Sequence, residues 1–145
     1  MRTRHLLPIL LIAAACGRDM TAPNITMAIP AGAVRFTPGA FQQTALETVR
    51  ACITAAKGKP NQTFAVNDVA WYTMPGASFL MANGALYQGY AGPGWIVLAE
   101  RQADIGEATR HELAHQLVYE AVLHSSPFWS ACGLLVGIGT TFTIP

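Results

Sequence analysis

The segment His111-Glu112-Leu113-Ala114-His115 sets two imidazoles four residues apart with a carboxylate beside the first. On an α-helix, residues i and i+4 stand one above the other with Cβ atoms about 5 to 6 Å apart, so both rings can reach one ion. Glu112 is turned about 100° from His111, toward the open fourth position of a tetrahedral site. There a carboxylate can take a proton from metal-bound water and pass it to a leaving amine, while the metal polarises the scissile carbonyl. These groups point to zinc-assisted hydrolysis with Glu112 as general base and acid. The plainer alternative is an amphipathic helix whose histidines are solvated or hydrogen-bonded in the core.

A stable zinc site needs a third protein ligand. Beyond His115 the chain offers two candidates, Glu120 and His124. Glu120 would lie about 140° round a continuing helix from His115, facing away from the metal. His124 can turn back only if the helix has ended, and Ser126-Pro127 supplies a break because the residue before proline avoids helical dihedrals. His124 is the expected ligand. Once His5 is set aside with the N-terminal segment, the remaining histidines (His111, His115, His124) fall within 14 residues.

The stretch Arg110 to Gly133, with His-Glu-Leu-Ala-His, then His124-Ser125-Ser126-Pro127-Phe128-Trp129 and Cys132-Gly133, resembles zincin-type metallopeptidases, particularly small bacterial lipoproteins with a later His and a nearby Cys. The resemblance implies zinc on His111, His115 and His124 and a peptide or protein substrate. It also implies an edge strand before the active helix that pairs with extended substrate, which would be Trp95, Ile96, Val97 and Leu98. The sequence departs from the metzincin pattern, since no glycine breaks the helix after His115, the third His comes nine residues later and no Met follows. It departs from the gluzincin pattern in having no Glu on a later helix.

The elements that must position this site read as an α+β domain, a small zincin-like unit with a few-stranded, mainly antiparallel sheet packed on helices. Thr37-Pro38 resembles an N-cap with proline at the first helical position and Gly58 a stop, with Phe41, Ala45, Val49, Cys52 and Ala56 as the buried stripe between them. Strand signals follow: Phe64 to Met74, Ser78 to Tyr90 with Asn83-Gly84 as a hairpin turn, and Trp95 to Ala99 after Gly92-Pro93-Gly94. Asp104 and Glu107 form a capping box for a second helix from Ile105 to about Leu123. Ser126-Pro127 opens a short third helix closing at Gly133, and Ile138, Thr140, Phe142 and Ile144 alternate as a last strand would. Tyr119, Tyr87, Tyr90 and Arg101 are all candidates for an oxyanion donor, with none singled out by spacing. Trp71, Tyr72 and Trp129 read as core or cleft walls.

The N-terminus reads as an export signal, with Arg2 and Arg4 before the apolar Leu6 to Ile12 and small residues Ala13-Ala14-Ala15. Ile12-Ala13-Ala14-Ala15-Cys16 resembles a lipobox, which would make residues 1–15 the signal, Cys16 the lipidated residue, 16–32 a tether and 33–145 the catalytic domain. The alternative is an ordinary cleavage site that happens to precede a cysteine. Cleavage leaves 130 residues with seven basic against eight acidic side chains. Outside the cytoplasm Cys52 and Cys132 have reason to pair, closing a loop worth roughly 4 to 5 kcal/mol, although two buried thiols are the alternative.

The whole chain of 145 residues carries nine Lys and Arg against eight Asp and Glu, a balance unsuited to nucleic-acid binding through phosphate neutralisation. Its 52% hydrophobic content argues for a compact core, and no apolar run reaches the roughly 20 residues of a membrane span. The expected protein is a monomer in the cell envelope, held at the outer membrane or periplasmic face only by its lipid. Its rivals are an inactive or metal-binding lipoprotein with an interaction role, and a structural lipoprotein with no metal.

Overall fold

The computed structural model describes residues 28–82, 84–103, 106–118, 124 and 126–134. The signal, Cys16, most of the tether, Asn83, Asp104, Tyr119, Glu120 and the alternating tail lie outside these residues. The described chain is a small α+β fold of three α-helices and a mixed sheet: β1 Val34–Phe36, α1 Ala40–Ala55, β2 Ala70–Met74, β3 Phe79–Leu80, β4 Leu86–Tyr87, β5 Gly89–Gly92, β6 Trp95–Ala99, α2 Glu107–Leu117 and α3 Pro127–Ala131. Among the described residues no helix is long and apolar enough to cross a membrane.

α1 starts later than Thr37-Pro38 suggests. Gly39 is its N-cap, and the Gln42 side chain accepts the Gly39 N–H at 2.8 Å while donating to the Ala103 carbonyl at 3.2 Å. The buried stripe is correspondingly rotated to Gln42, Ala45, Leu46, Val49 and Ile53, leaving Phe41 exposed and Cys52 half-buried on its flank. The helix ends at Ala55, shortly before Gly58, and it is Lys57 that takes the left-handed conformation (φ 62°), while the N–H groups of Lys57 and Gly58 close onto Thr54 and Ile53. Gly58 is required for space, because a Cβ there would lie 2.5 Å from Ile53 Cγ2.

The four-stranded sheet has the order β1-β2-β6-β5, and β3 with β4 forms a separate hairpin. β1 and β5 pair antiparallel with their neighbours, as a mainly antiparallel sheet requires, whereas β2 and β6 are parallel. The chain leaves β2, makes the β3–β4 excursion and re-enters through β5, so β6 runs in the direction of β2. The long strand expected from Phe64 begins only at Ala70, since Val66–Asp68 is a 3-10 turn capped by Asp68 on the Ala65 N–H. β5 and β6 join through Pro93 and Gly94, whose φ of 77° is what a tight turn asks of glycine.

A further correction concerns the substrate-pairing strand. Trp95, Ile96, Val97 and Leu98 belong to β6, which lies inside the sheet between β2 and β5 and is buried throughout. Ile96 and Leu98 enter the main core with the helices, whereas Trp95, Val97 and Ala99 enter a second core with Phe79, Met81 and Tyr87. A strand covered on both faces needs an unbroken apolar run, so this segment carries the signature of a central strand. The edge on the α2 side is β5.

Candidate metal centre

α2 carries His111, Glu112 and His115, and it ends at Leu117 with Val118 already extended, six residues short of the expected terminus. His124 is therefore clear of the helix, with its backbone in the left-handed region (φ 39°). Its Nε2 lies 3.2 Å from Nε2 of His115, which lies 3.1 Å from Nε2 of His111. The structure thus brings together the three histidines expected as ligands, and they could hold a metal ion.

Proton accounting tests that fit. Nδ1 of His111 sits 2.5 Å from the Leu134 carbonyl oxygen, which can only accept, so the ring proton belongs on Nδ1 and Nε2 presents a lone pair. His115 can offer one proton to that lone pair, but the same nitrogen cannot then accept from His124. Hydrogen bonds alone cannot satisfy both contacts when the rings are neutral. A cation can, and the edge of a tetrahedron with zinc–nitrogen bonds of 2.0 to 2.1 Å is about 3.3 Å, close to the spacing present.

The rings are held neutral. Burial pushes His111 down to about 4, with the Leu134 hydrogen bond opposing and His124 reinforcing the shift. Burial takes His115 down to about 3, with His111 and His124 adding to it, and burial lowers His124 as well. Neutral imidazole is the form that binds metal.

Glu112 is buried against β5. Burial raises its carboxyl to about 8, partly opposed by a hydrogen bond from the backbone of Ala91. Gly89 makes this approach possible, because a Cβ at that position would stand 2.8 Å from Glu112 Oε1 and 2.9 Å from its Cγ. One helical turn on, Gln116 Nε2 donates to the Gly92 carbonyl at 2.9 Å, so α2 is fastened along the edge strand at two points. Ala99 N–H bonds the Gln88 carbonyl, and alternation along the ladder then turns the backbone groups of Gly89 and Ala91 outward, toward the edge.

Cys52 and Cys132 form a disulfide across 80 residues, clamping α3 to α1. Ser126 stands at the N-cap position of α3 and Pro127 opens the helix, as expected. At its other end Gly133 is left-handed (φ 62°) and the Leu134 N–H returns to the Trp129 carbonyl at 2.8 Å. This turn delivers the Leu134 carbonyl to His111.

Of the oxyanion candidates, Tyr87 lies in the second core and Tyr90 packs against it, its ring stacked on Trp95 at 5.6 Å and its pKa raised by burial, by Tyr87 and by Glu112; Arg101 is exposed, and Tyr119 lies outside the described residues. Sequence reasoning gave no role at this site to Gly89, Ala91, Gln116 or Leu134. A glycine inside a strand does mark close approach of another group, and that signal was present at Gly89. Trp71 is core, and Tyr72 packs against the second core, as read.

No protein-family model matches this chain, and no curated protein or solved structure matches it.

Proposed function

We propose that this chain is an exported, lipid-anchored zinc peptidase of the zincin type that hydrolyses peptide bonds. The observation that carries the proposal is the convergence of three Nε2 atoms from His111, His115 and His124 beside a buried glutamate, Glu112. Two histidines one turn apart on one helix and a histidine beyond the helix end make a three-nitrogen set, which suits zinc with one position left open. When bound, zinc would act as a Lewis acid toward the carbonyl and lower the pKa of a water. Glu112 would accept the proton and return it to the leaving nitrogen. The outward-facing backbone of β5 runs past that carboxyl, and an extended peptide added to this edge would cross the site. The disulfide accords with export to an oxidising compartment. Cys16 would carry the lipid.

Zinc content and peptide hydrolysis measured side by side test the proposal. Glu112→Gln keeps the shape but cannot take the proton, so it should retain zinc and lose hydrolysis by about 10² or more. His124→Ala should lose zinc, and Glu120→Ala should lose neither. Full activity in Glu112→Gln would overturn the mechanism, and a protein that retains zinc but cleaves no peptide would be a metal-binding envelope protein instead.

A further inference from the structure

His111 is the one ligand whose outer ring nitrogen has a hydrogen-bond acceptor among the described residues. Metal-binding histidines ordinarily need such a partner to fix the ring. His115 and His124 share a different restraint. The Trp129 ring lies 5.2 Å from that of His111, 4.8 Å from that of His115 and 4.4 Å from that of His124. The three imidazoles are themselves 4.8, 4.9 and 5.0 Å apart. A ring nearly equidistant from three mutually equidistant rings sits on the axis about which they are arranged. Trp129 is 1% exposed and belongs to the main core, so it closes the inner end of that axis. His115 and His124 are only half-buried, which leaves the outer end to solvent.

We propose that Trp129 is a positioning residue of the metal site, an apolar floor that holds the three imidazoles facing one point. The inference rests on the metal-site reading above and adds a packing restraint on the two ligands whose outer nitrogens have no acceptor among the described residues. A flat, rigid indole can touch three rings at once, whereas a flexible aliphatic chain there would let His115 and His124 change rotamer. Trp129 is itself fixed on every side. Its N–H returns to the Ser126 carbonyl at 3.1 Å, its carbonyl takes the Leu134 N–H, Phe128 packs at 5.1 Å and Cys132 ties the segment to α1. The residue that orients two ligands by packing thus also anchors the turn that orients the third by hydrogen bonding.

Such a floor makes two measurable demands. An indole this close to the ion should lose most of its emission when a paramagnetic cation binds, and removing it should loosen the coordination. The probe is Co2+ added to the full mature protein. In the Trp71→Phe, Trp95→Phe protein, which keeps Trp129 alone, Co2+ should quench the emission. In Trp129→Phe, which keeps the other two, it should quench little. Trp129→Ala should bind Co2+ about 10 to 100-fold more weakly, the loss typical of removing a ligand's support, and lose the intense visible absorption of tetrahedral cobalt. Trp129→Leu serves if the alanine variant does not fold. Trp71→Phe, a change in the same core away from the histidines, should bind as the wild type does. Wild-type affinity and spectrum in the folded Trp129→Ala or Trp129→Leu protein, an unquenched Trp129, or an equal loss in Trp71→Phe would each overturn the proposal. Failure of the wild-type protein to take up Co2+ or zinc would instead overturn the metal-site reading.

Discussion

The Leu134 carbonyl oxygen lies 2.5 Å from Nδ1 of His111, joining the segment after α3 to the first ligand of α2 across 23 residues. It fixes which nitrogen of His111 faces the cluster, because a carbonyl can accept but not donate. The expected consequence is zinc bound through Nε2 of all three histidines, one ion per chain, at roughly 2.0 to 2.1 Å. X-ray absorption on zinc-loaded protein measures the number and distance of nitrogen ligands. Two or fewer histidine nitrogens would exclude His124 from the set.

Gly89 leads to a separation between holding metal and doing chemistry. Its φ is not in the left-handed region, so glycine is needed there for room and not for conformation. Gly89→Ala would drive a methyl group into the Glu112 carboxyl and force that side chain from Ala91. Zinc content should stay at the wild-type level, since no ligand is touched, while hydrolysis falls by about tenfold or more through the misplaced base. Shortening the acid as well, in Gly89→Ala with Glu112→Asp, should relieve the clash. If Gly89→Ala retained full activity on a peptide that the wild type cleaves, the contact between β5 and Glu112 would have no catalytic weight.

The chemistry was more legible in the sequence than its framework, for a physical reason. His111, Glu112 and His115 lie within two helical turns, so local geometry alone brings them together. His124 was recoverable because Pro127 broadcasts a chain break, and Cys52 with Cys132 because, once Cys16 is set aside as the lipidation candidate, two cysteines allow one pairing. Sheet order depends on contacts distant in sequence, which no short window contains. The five apolar residues of β6 did encode burial on both faces, yet the resemblance drew them toward an edge role that β5 occupies. The start of α1 slipped because Gln42 supplies the cap from inside the helix, where an N-cap side chain is usually sought before it. Leu134 contributes only a backbone oxygen, and residue type carries no signal for that.

The disulfide should act on the metal site as well as on the fold. α3 has only five residues and cannot hold its shape alone, yet it carries Trp129 and leads to Leu134. Cys52→Ser with Cys132→Ser should lower unfolding stability by about 2 to 5 kcal/mol. It should also weaken zinc binding under conditions where the variant remains folded. By linkage, zinc should make the native disulfide harder to reduce, measured as thiol release against a graded reductant with and without metal. Equal reduction curves would show that α3 stays in place without its clamp.

The metal-free protein should have a stability maximum set by two opposing titrations. His111 and His115 are depressed from 6.5 to about 4 and about 3, so below 6.5 the unfolded chain binds protons that the native one refuses, and stability falls as the pH drops through that window. Glu112 is raised from 4.5 to about 8, so the native state holds a proton that the unfolded state has released. Its contribution is therefore lost as pH rises from 4.5 toward 8. Three depressed histidines, His124 among them, outweigh one glutamate on the acid side, and above about pH 7 only the glutamate still differs between the two states, which puts the maximum near pH 6 to 7. Zinc should remove the alkaline decline, because a dication beside Glu112 favours its carboxylate, and should steepen the acid loss, because protons must displace the metal. Denaturant unfolding at a series of pH values, with and without zinc, reads both slopes. Glu112→Gln should flatten the alkaline limb of the metal-free curve and steepen the acid limb, where the glutamate no longer opposes the histidines, and an unchanged alkaline limb in that variant would mean that Glu112 is not the group responsible.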